Sequence, residues 1–126
     1  MACDRRISGL TPKFIAMTEG WLENFVRVAA SRPALTLADP VKNAEAIAAE
    51  IARLEIQDVE IAVFPELSLS GYSCADLFYQ ATLLDGTIEG LIKVVNATEG
   101  SDINVVVGAA LRFQGRLYNC GVVIGA

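Results

Sequence analysis

A short apolar run, Ile61-Ala62-Val63-Phe64, ends at Pro65, and the carboxylate of Glu66 follows at once. Proline cannot donate to a strand ladder, so this pattern predicts a strand from Val59 to Phe64 that ends at Pro65. The strand is apolar enough to be buried on both faces, as strands of parallel sheets are. Glu66 is therefore expected at the carboxyl end of a buried strand, where open α/β sheets bind ligands. Burial would favour its neutral form and suit it to act as a general base.

Helical patterns flank this strand on both sides. Asp39-Pro40 predicts a helix start, with an N-cap carboxylate and a proline at the first helical position. The apolar stripe of this helix comprises Ala44, Ile47, Ile51 and Leu54. A second helix is predicted over 81–97, although Gly86 and Gly90 each weaken it by up to about 1 kcal/mol relative to alanine. Its predicted stripe comprises Leu84, Ile88, Leu91 and Val95.

Extended segments complete the pattern. Residues 25–30 predict a first strand and 103–108 a third, and Gln114-Gly115 predicts a hairpin turn before a final strand. The resulting order, β-α-β-α-β-β, predicts an α/β fold with a mixed sheet, in which helices join parallel strands and an antiparallel hairpin is added last.

The chain divides into two parts of different character. Residues 1–23 show no clear periodicity and are expected to form a tail, or a short helix near Phe14–Met17. Residues 24–126 are long enough for one small domain with a real core. The last seven residues stay apolar to the end, whereas termini usually lie at the surface. We therefore expect a partial domain, cut off within its sheet at the C-terminus.

Composition excludes several classes of function. The chain has no histidine, which excludes Ser-His-Asp and Cys-His catalysis and zinc sites that use histidine. The formal net charge of −5 disfavours nucleic acid and anionic membranes as partners. No apolar stretch approaches the roughly 20 residues that span a bilayer. The three cysteines are too widely spaced for a metal site or a convincing disulfide framework, so we expect no metal and a cytoplasmic location.

Several segments together resemble the nitrilase (carbon–nitrogen hydrolase) superfamily. Within it they are most similar to the N-terminal glutaminase domains of bacterial glutamine-dependent NAD⁺ synthetases. The resemblance covers residues 25–124 without an obvious gap and is more specific than the Phe-Pro-Glu motif alone. It is carried by Leu37-Ala38-Asp39-Pro40, Asn43-Ala44, the run from Val63 to Ser73, Asp76-Leu77-Phe78, Gly108-Ala109, Leu111-Arg112, Gly115-Arg116, Tyr118-Asn119 and Val122-Val123-Ile124.

The resemblance implies a fold and a site. The fold is the first half of an α-β-β-α sandwich, and the catalytic machinery is a Glu-Lys-Cys triad with Glu66 as the general base. The family's lysine and cysteine are missing, because no lysine follows Lys93 and no Ile-Cys-Glu-Asp-like motif occurs. Cys74 and Cys120 match family positions other than the nucleophile. Tyr72 lines the glutamine pocket or contacts the synthetase half, unless it is only a half-buried tyrosine at a loop–helix junction.

The implied substrate is glutamine, and the implied partner is a C-terminal synthetase domain absent from this chain. ATP and Mg²⁺ are implied only for that domain, with no cofactor in this chain, and the intact enzyme is expected to be a homo-oligomer. This chain alone is expected to be inactive. Two alternatives stay open: part of a free-standing nitrilase-type amidase, and a non-catalytic truncated gene product or interaction module.

Overall fold

A computed structural model describes residues 25–125 as four strands and two helices. The elements are β1 (Val28–Ala30), α1 (Pro40–Glu55), β2 (Ile61–Val63), α2 (Ala81–Ala97), β3 (Asn104–Phe113) and β4 (Arg116–Ile124). A 3₁₀ segment, Tyr72–Tyr79, precedes α2 and is kinked at Ala75. The predicted N-terminal tail or short helix lies outside the described residues. Neither helix within 25–125 is long and apolar enough to cross a membrane.

The four strands form one mixed sheet in the order β1-β2-β3-β4. β1, β2 and β3 are parallel, and β4 pairs with β3 in antiparallel register from Val105↔Ile124 to Phe113↔Arg116. The hairpin turns at Gln114 and Gly115, both with positive φ, as the tight turns that match strand twist require. The predicted α/β class, element order and mixed sheet are therefore confirmed. β1 is shorter than predicted, and β3 continues to Phe113 instead of ending at Gly108.

Both helices pack on the same face of the sheet. Right-handed crossovers between strands that are added in one direction place every helix on one side. The side chain of Asp39 accepts a hydrogen bond from the amide of Lys42, which confirms the predicted cap of α1. The predicted stripe of α1 is fully buried and packs in one core with residues of the sheet. These residues are Ala62, Val105, Val107 and Ala109.

Helix α2 has the predicted bounds, but its buried face differs from the predicted stripe. Leu84 is buried, whereas Ile88 and Val95 are about half exposed. Gly90 accounts for this different buried face of α2, because a Cβ at this position would lie 2.9 Å from the carbonyl oxygen of Pro40. The glycine lets α2 approach α1 closely, so it has a packing role that propensity alone does not reveal. The buried residues of α2 are Leu83, Leu84, Thr87, Gly90 and Val94, and Leu91 of the predicted stripe is partly buried against the core.

The prediction that Val59–Phe64 is buried on both faces is wrong. Ala62 and Phe64 are buried, but Ile61 is 37% and Val63 46% exposed. Side chains alternate along a strand, and strand register places further apolar residues beside these two. We call this surface the open face; it is formed by Val28, Ile61, Val63, Val106 and Val123. Within residues 25–125, only one face of the sheet is covered by helices, as in half of a sandwich.

Candidate functional site at Glu66

Glu66 follows β2 at the carboxyl end of the parallel strands, in a turn that runs to Ser70. The predicted placement is confirmed. The predicted burial is wrong, because the Glu66 side chain is exposed while Leu67 to Ser70 are buried. The turn buries its apolar neighbours and directs the carboxylate outward. Apolar neighbours in sequence therefore did not produce an apolar environment for the carboxylate.

The turn packs closely against β3 at Gly108 and is hydrogen-bonded to it. A Cβ on Gly108 would lie 2.2 Å from the Leu67 nitrogen and 2.5 Å from the Pro65 carbonyl oxygen. The amide of Gly108 donates to Ser68 Oγ at 3.0 Å, and its carbonyl accepts from the amide of Leu69 at 3.2 Å. The turn thus takes the place of β2 beside β3 once β2 has ended. Ser68 thus has a turn-forming role, and glycine is required where the two backbones meet.

A buried asparagine of α1 holds the far end of the same turn. Asn43 is 2% exposed, and its Nδ2 donates to the carbonyl oxygens of Leu69 and Thr36, each at 2.7 Å. Its Oδ1 accepts from the amide of Thr36, also at 2.7 Å. Sequence reasoning used Asn43 only as part of the resemblance. The available signal was a polar residue directly beside Ala44 on the apolar stripe.

The carboxylate of Glu66 lies on the open face of the sheet. Asn119 Nδ2 donates to Glu66 Oε1 at 2.5 Å. Asn119 is opposite Ala110 in the hairpin. It lies on the same face of β4 as Gly121 and Val123, because every second residue of a strand points to the same side, so its side chain projects on the open face. The parallel strands, the turn and the hairpin together place Glu66 there. No feature of the sequence alone pointed to this contact across 53 positions.

Other candidate groups lie away from Glu66. Lys93 Nζ forms an ion pair with Glu45 Oε1 at 3.1 Å, which joins α2 to α1 on the helical face. Cys120 is paired with Ala109 and therefore projects to the core side of β4. Cys74 is buried, and its Sγ lies 3.1 Å from the carbonyl oxygen of Ser70. Residues 25–125 therefore bring neither a cysteine nor a lysine side chain into hydrogen-bonding contact with Glu66.

Tyr72 begins the 3₁₀ segment directly after Gly71, whose φ is +91°. A Cβ on Gly71 would lie 2.9 Å from the Leu37 side chain, so the chain turns closely beside that leucine. Tyr72 itself is 72% exposed. The alternative of a half-buried structural tyrosine is therefore wrong for the described residues. A role for Tyr72 in substrate binding stays a prediction.

The sequence profile of the carbon-nitrogen hydrolase family matches residues 26–126. The chain belongs to this family. Among curated proteins, the glutamine-dependent NAD(+) synthetase of Mycobacterium tuberculosis is 43% identical over 102 residues, covering 79% of this chain and 15% of that protein. The corresponding synthetase of Mycobacterium leprae is 37% identical over 102 residues, covering 81% of this chain and 15% of that protein. This carbon–nitrogen hydrolase chain thus spans about one-seventh of the relatives' length.

Solved structures give the same relationship. The glutamine-dependent NAD(+) synthetase of Cytophaga hutchinsonii superposes with a TM-score of 0.72 at 29% identity, covering 79% of this chain and 17% of that one. The NitN amidase of Neterenkonia sp. AN1 superposes with a TM-score of 0.55 at 21% identity, covering 68% of this chain and 33% of that one. The second likeness shows the shared fold alone.

Proposed function

We propose that residues 25–125 form the part of a glutaminase site that carries its general base, Glu66, in a glutamine-dependent NAD⁺ synthetase. The observation that carries the proposal is the position of Glu66 at the carboxyl end of β2, directed onto the open face of the sheet. The identity of 43% to a synthetase favours this function over a free-standing amidase. The activity, substrate and partners of the whole enzyme are part of the proposal.

In the proposed reaction Glu66 accepts the proton of a cysteine thiol while the sulfur attacks the amide carbon of glutamine. A lysine stabilises the oxyanion, the proton leaves with ammonia, and water hydrolyses the γ-glutamyl thioester. We propose that polypeptide packed on the open face supplies the cysteine and the lysine. That layer would also exclude water from the Glu66 carboxylate, which is exposed in residues 25–125 taken alone.

Further parts of the proposal lie outside this chain. Ammonia passes to a C-terminal synthetase domain, which amidates nicotinic acid adenine dinucleotide and uses ATP and Mg²⁺. We propose that Tyr72 lines the glutamine pocket or faces that domain, since its side chain is available at the surface. A cytoplasmic location and a homo-oligomeric intact enzyme complete the proposal.

The first test uses the 126-residue chain alone. Because Glu66 has neither a thiol nor an ammonium group within hydrogen-bonding contact, we expect no release of glutamate or ammonia from glutamine. Glutamate would be measured by an enzyme-coupled assay, with Glu66→Gln as the blank. Hydrolysis that disappears in Glu66→Gln would show that the site is complete without further polypeptide, and would contradict the proposed division of the triad.

The second test places residues 25–125 into the M. tuberculosis synthetase in exchange for the segment they match. We expect glutamine-supported NAD⁺ synthesis in this hybrid, and a loss of at least about 100-fold in its Glu66→Gln variant, because general-base catalysis contributes about 10² to 10⁴ in rate. Synthesis supported by added ammonia should persist, since ammonia bypasses the hydrolysis of glutamine. Glu89→Gln, which changes an exposed carboxylate on α2, is the matched control. Equal glutamine-supported rates for Glu66→Gln and Glu89→Gln would overturn the proposal.

A further inference from the structure

We propose that Asn119 is a positioning residue for Glu66: its amide holds Oε1 and thereby assigns proton acceptance to Oε2. The inference rests on the proposed function, because it matters to catalysis only if Glu66 is a general base. It is carried by the hydrogen bond of 2.5 Å from Asn119 Nδ2 to Glu66 Oε1. No motif in the sequence indicates this contact, which arises only when the turn after β2 and the hairpin are brought together.

Asn119 is well placed to fix another side chain. It lies in the interior of β4, four positions from the end of the hairpin turn, and its backbone pairs with Ala110 of β3. A strand position is held by the sheet, and a site built on regular elements is more precise than one built on loops. The short asparagine side chain also has fewer rotatable bonds than a lysine or arginine in the same place. Asn119 can therefore fix the position of the Glu66 carboxylate relative to the sheet.

Glu66 needs such a contact because the backbone of its turn is fixed by hydrogen bonds, whereas its side chain is exposed and can change rotamer. The backbone of the turn is locked against β3 by Ser68 and Leu69, which both hydrogen-bond to Gly108. The exposed glutamate side chain has several rotatable bonds and would otherwise exchange among staggered rotamers. With Oε1 held by Asn119, both ends of the residue are tied to the same hairpin. A neutral donor does this without forming an ion pair with the base.

The second oxygen stays accessible on the open face. Within residues 25–125, no hydrogen bond to Glu66 Oε2 accompanies the bond to Oε1. On this face of the hairpin, the next cross-strand pair from Asn119 towards Val123 is Gly108 and Gly121, and neither residue has a side chain. Gly121 is exposed, and a Cβ there would meet only Val106, at 3.7 Å. The surface over Gly121 thus carries no side chain of the hairpin, whereas the space over Gly108 is filled by the backbone of the turn.

The test uses isotopically labelled full-length chain and nuclear magnetic resonance, and it needs no catalytic activity. In the wild type we expect the side-chain amide proton of Asn119 that bonds to Glu66 to be shifted downfield, and this signal to move to the position of an exposed asparagine in Glu66→Ala. The side-chain amide of the exposed Asn96 on α2 is the internal control and should not respond. Asn119→Asp keeps the shape but removes the donor, so the Glu66 methylene protons should become rotationally averaged. Backbone amide shifts of β3 and β4 report whether the hairpin itself is intact.

Two results would overturn the proposal. One is an Asn119 side-chain amide that is unchanged between wild type and Glu66→Ala. The other is a Glu66 side chain that keeps its rotamer in Asn119→Asp while β3 and β4 are unaltered. A role limited to hairpin stability would change unfolding but leave the Glu66 rotamer as it is. Because glutamine is not used, failure here is separate from failure of the hybrid enzyme, which would speak against the proposed function.

Discussion

Replacement of Gly108 by alanine should detach the Glu66 turn from the sheet. The added Cβ would lie 2.2 Å from the nitrogen of Leu67, 2.5 Å from the carbonyl oxygen of Pro65 and 2.7 Å from the carbonyl carbon of Glu66. All three are backbone atoms, so no change of rotamer can relieve the overlap. The turn must move away from β3, and its hydrogen bonds to Gly108, at 3.0, 3.2 and 3.4 Å, must lengthen or break.

The expected cost follows from these contacts. Overpacking in a well-packed region costs about 1–3 kcal/mol, and each intramolecular hydrogen bond contributes about 1 kcal/mol. Gly108→Ala should therefore lower the free energy of unfolding by about 3 kcal/mol. It should also separate Glu66 from Asn119, because the carboxylate moves with the turn.

Gly121→Ala is the matched control, since Gly121 is the residue paired with Gly108 across the hairpin. Its Cβ would make one ordinary contact, with Val106 Cγ1 at 3.7 Å. The change in the free energy of unfolding should stay within about 0.5–1 kcal/mol and can be stabilising, because alanine loses less backbone entropy on folding than glycine does.

Urea unfolding followed by circular dichroism measures both variants under the same conditions. Equal changes in the unfolding free energy for Gly108→Ala and Gly121→Ala would refute the close approach of the turn to β3. An Asn119 side-chain amide signal that stays as in the wild type in Gly108→Ala would refute it as well, because the turn would then not have moved.

Two further predictions concern the helical layer. Asn43→Ala should cost about 3 kcal/mol in urea unfolding, because it removes the donor to the buried carbonyl of Leu69 and both hydrogen bonds to the backbone of Thr36. Asn96→Ala on the surface should change little, and equal costs for the two variants would contradict this role of Asn43. Hydrogen bonds from Arg53 and then Ser31 lower the pKa of Glu50 from 4.5 to about 2, so its ionised form stabilises the fold above pH 4.5. That contribution, about 1–2 kcal/mol after solvent screening, should be lost as the pH falls from about 5 to 2. Glu50→Gln should lack this part of the pH dependence, and parallel stability–pH curves for the two proteins would refute it.

The elements that follow from local chemistry were predictable. The capped start of α1, its apolar stripe, the bounds of α2 and the glycine-containing hairpin turn are each encoded within a few consecutive residues. The strand that stops at a proline also placed Glu66 correctly at the end of β2. Such features depend on backbone dihedral preferences and on periodicity, and both can be read along the chain.

The buried face of α2 and the exposure of Glu66 were not predictable in this way. The buried face of α2 follows from a glycine that fits against Pro40, which lies on another helix. The exposure of Glu66 follows from a turn that buries Leu67 and Leu69 and leaves the carboxylate outside. Both outcomes depend on which atoms of distant segments occupy the same space, and composition does not contain that information.

The sequence by itself determined the α/β element order, the strand that ends at Pro65 and the presence of Glu66 after it. Only the tertiary structure decided which face of the sheet carries the carboxylate, and that Asn119 holds it there. The physical reason is the separation of the interacting residues along the sequence. Caps, turns and periodicity depend on residues that are only a few positions apart. The approach of the turn to Gly108 and the contact of Asn119 with Glu66 join residues that are 40 and 53 positions apart. Contacts of that range exist only once the sheet has formed.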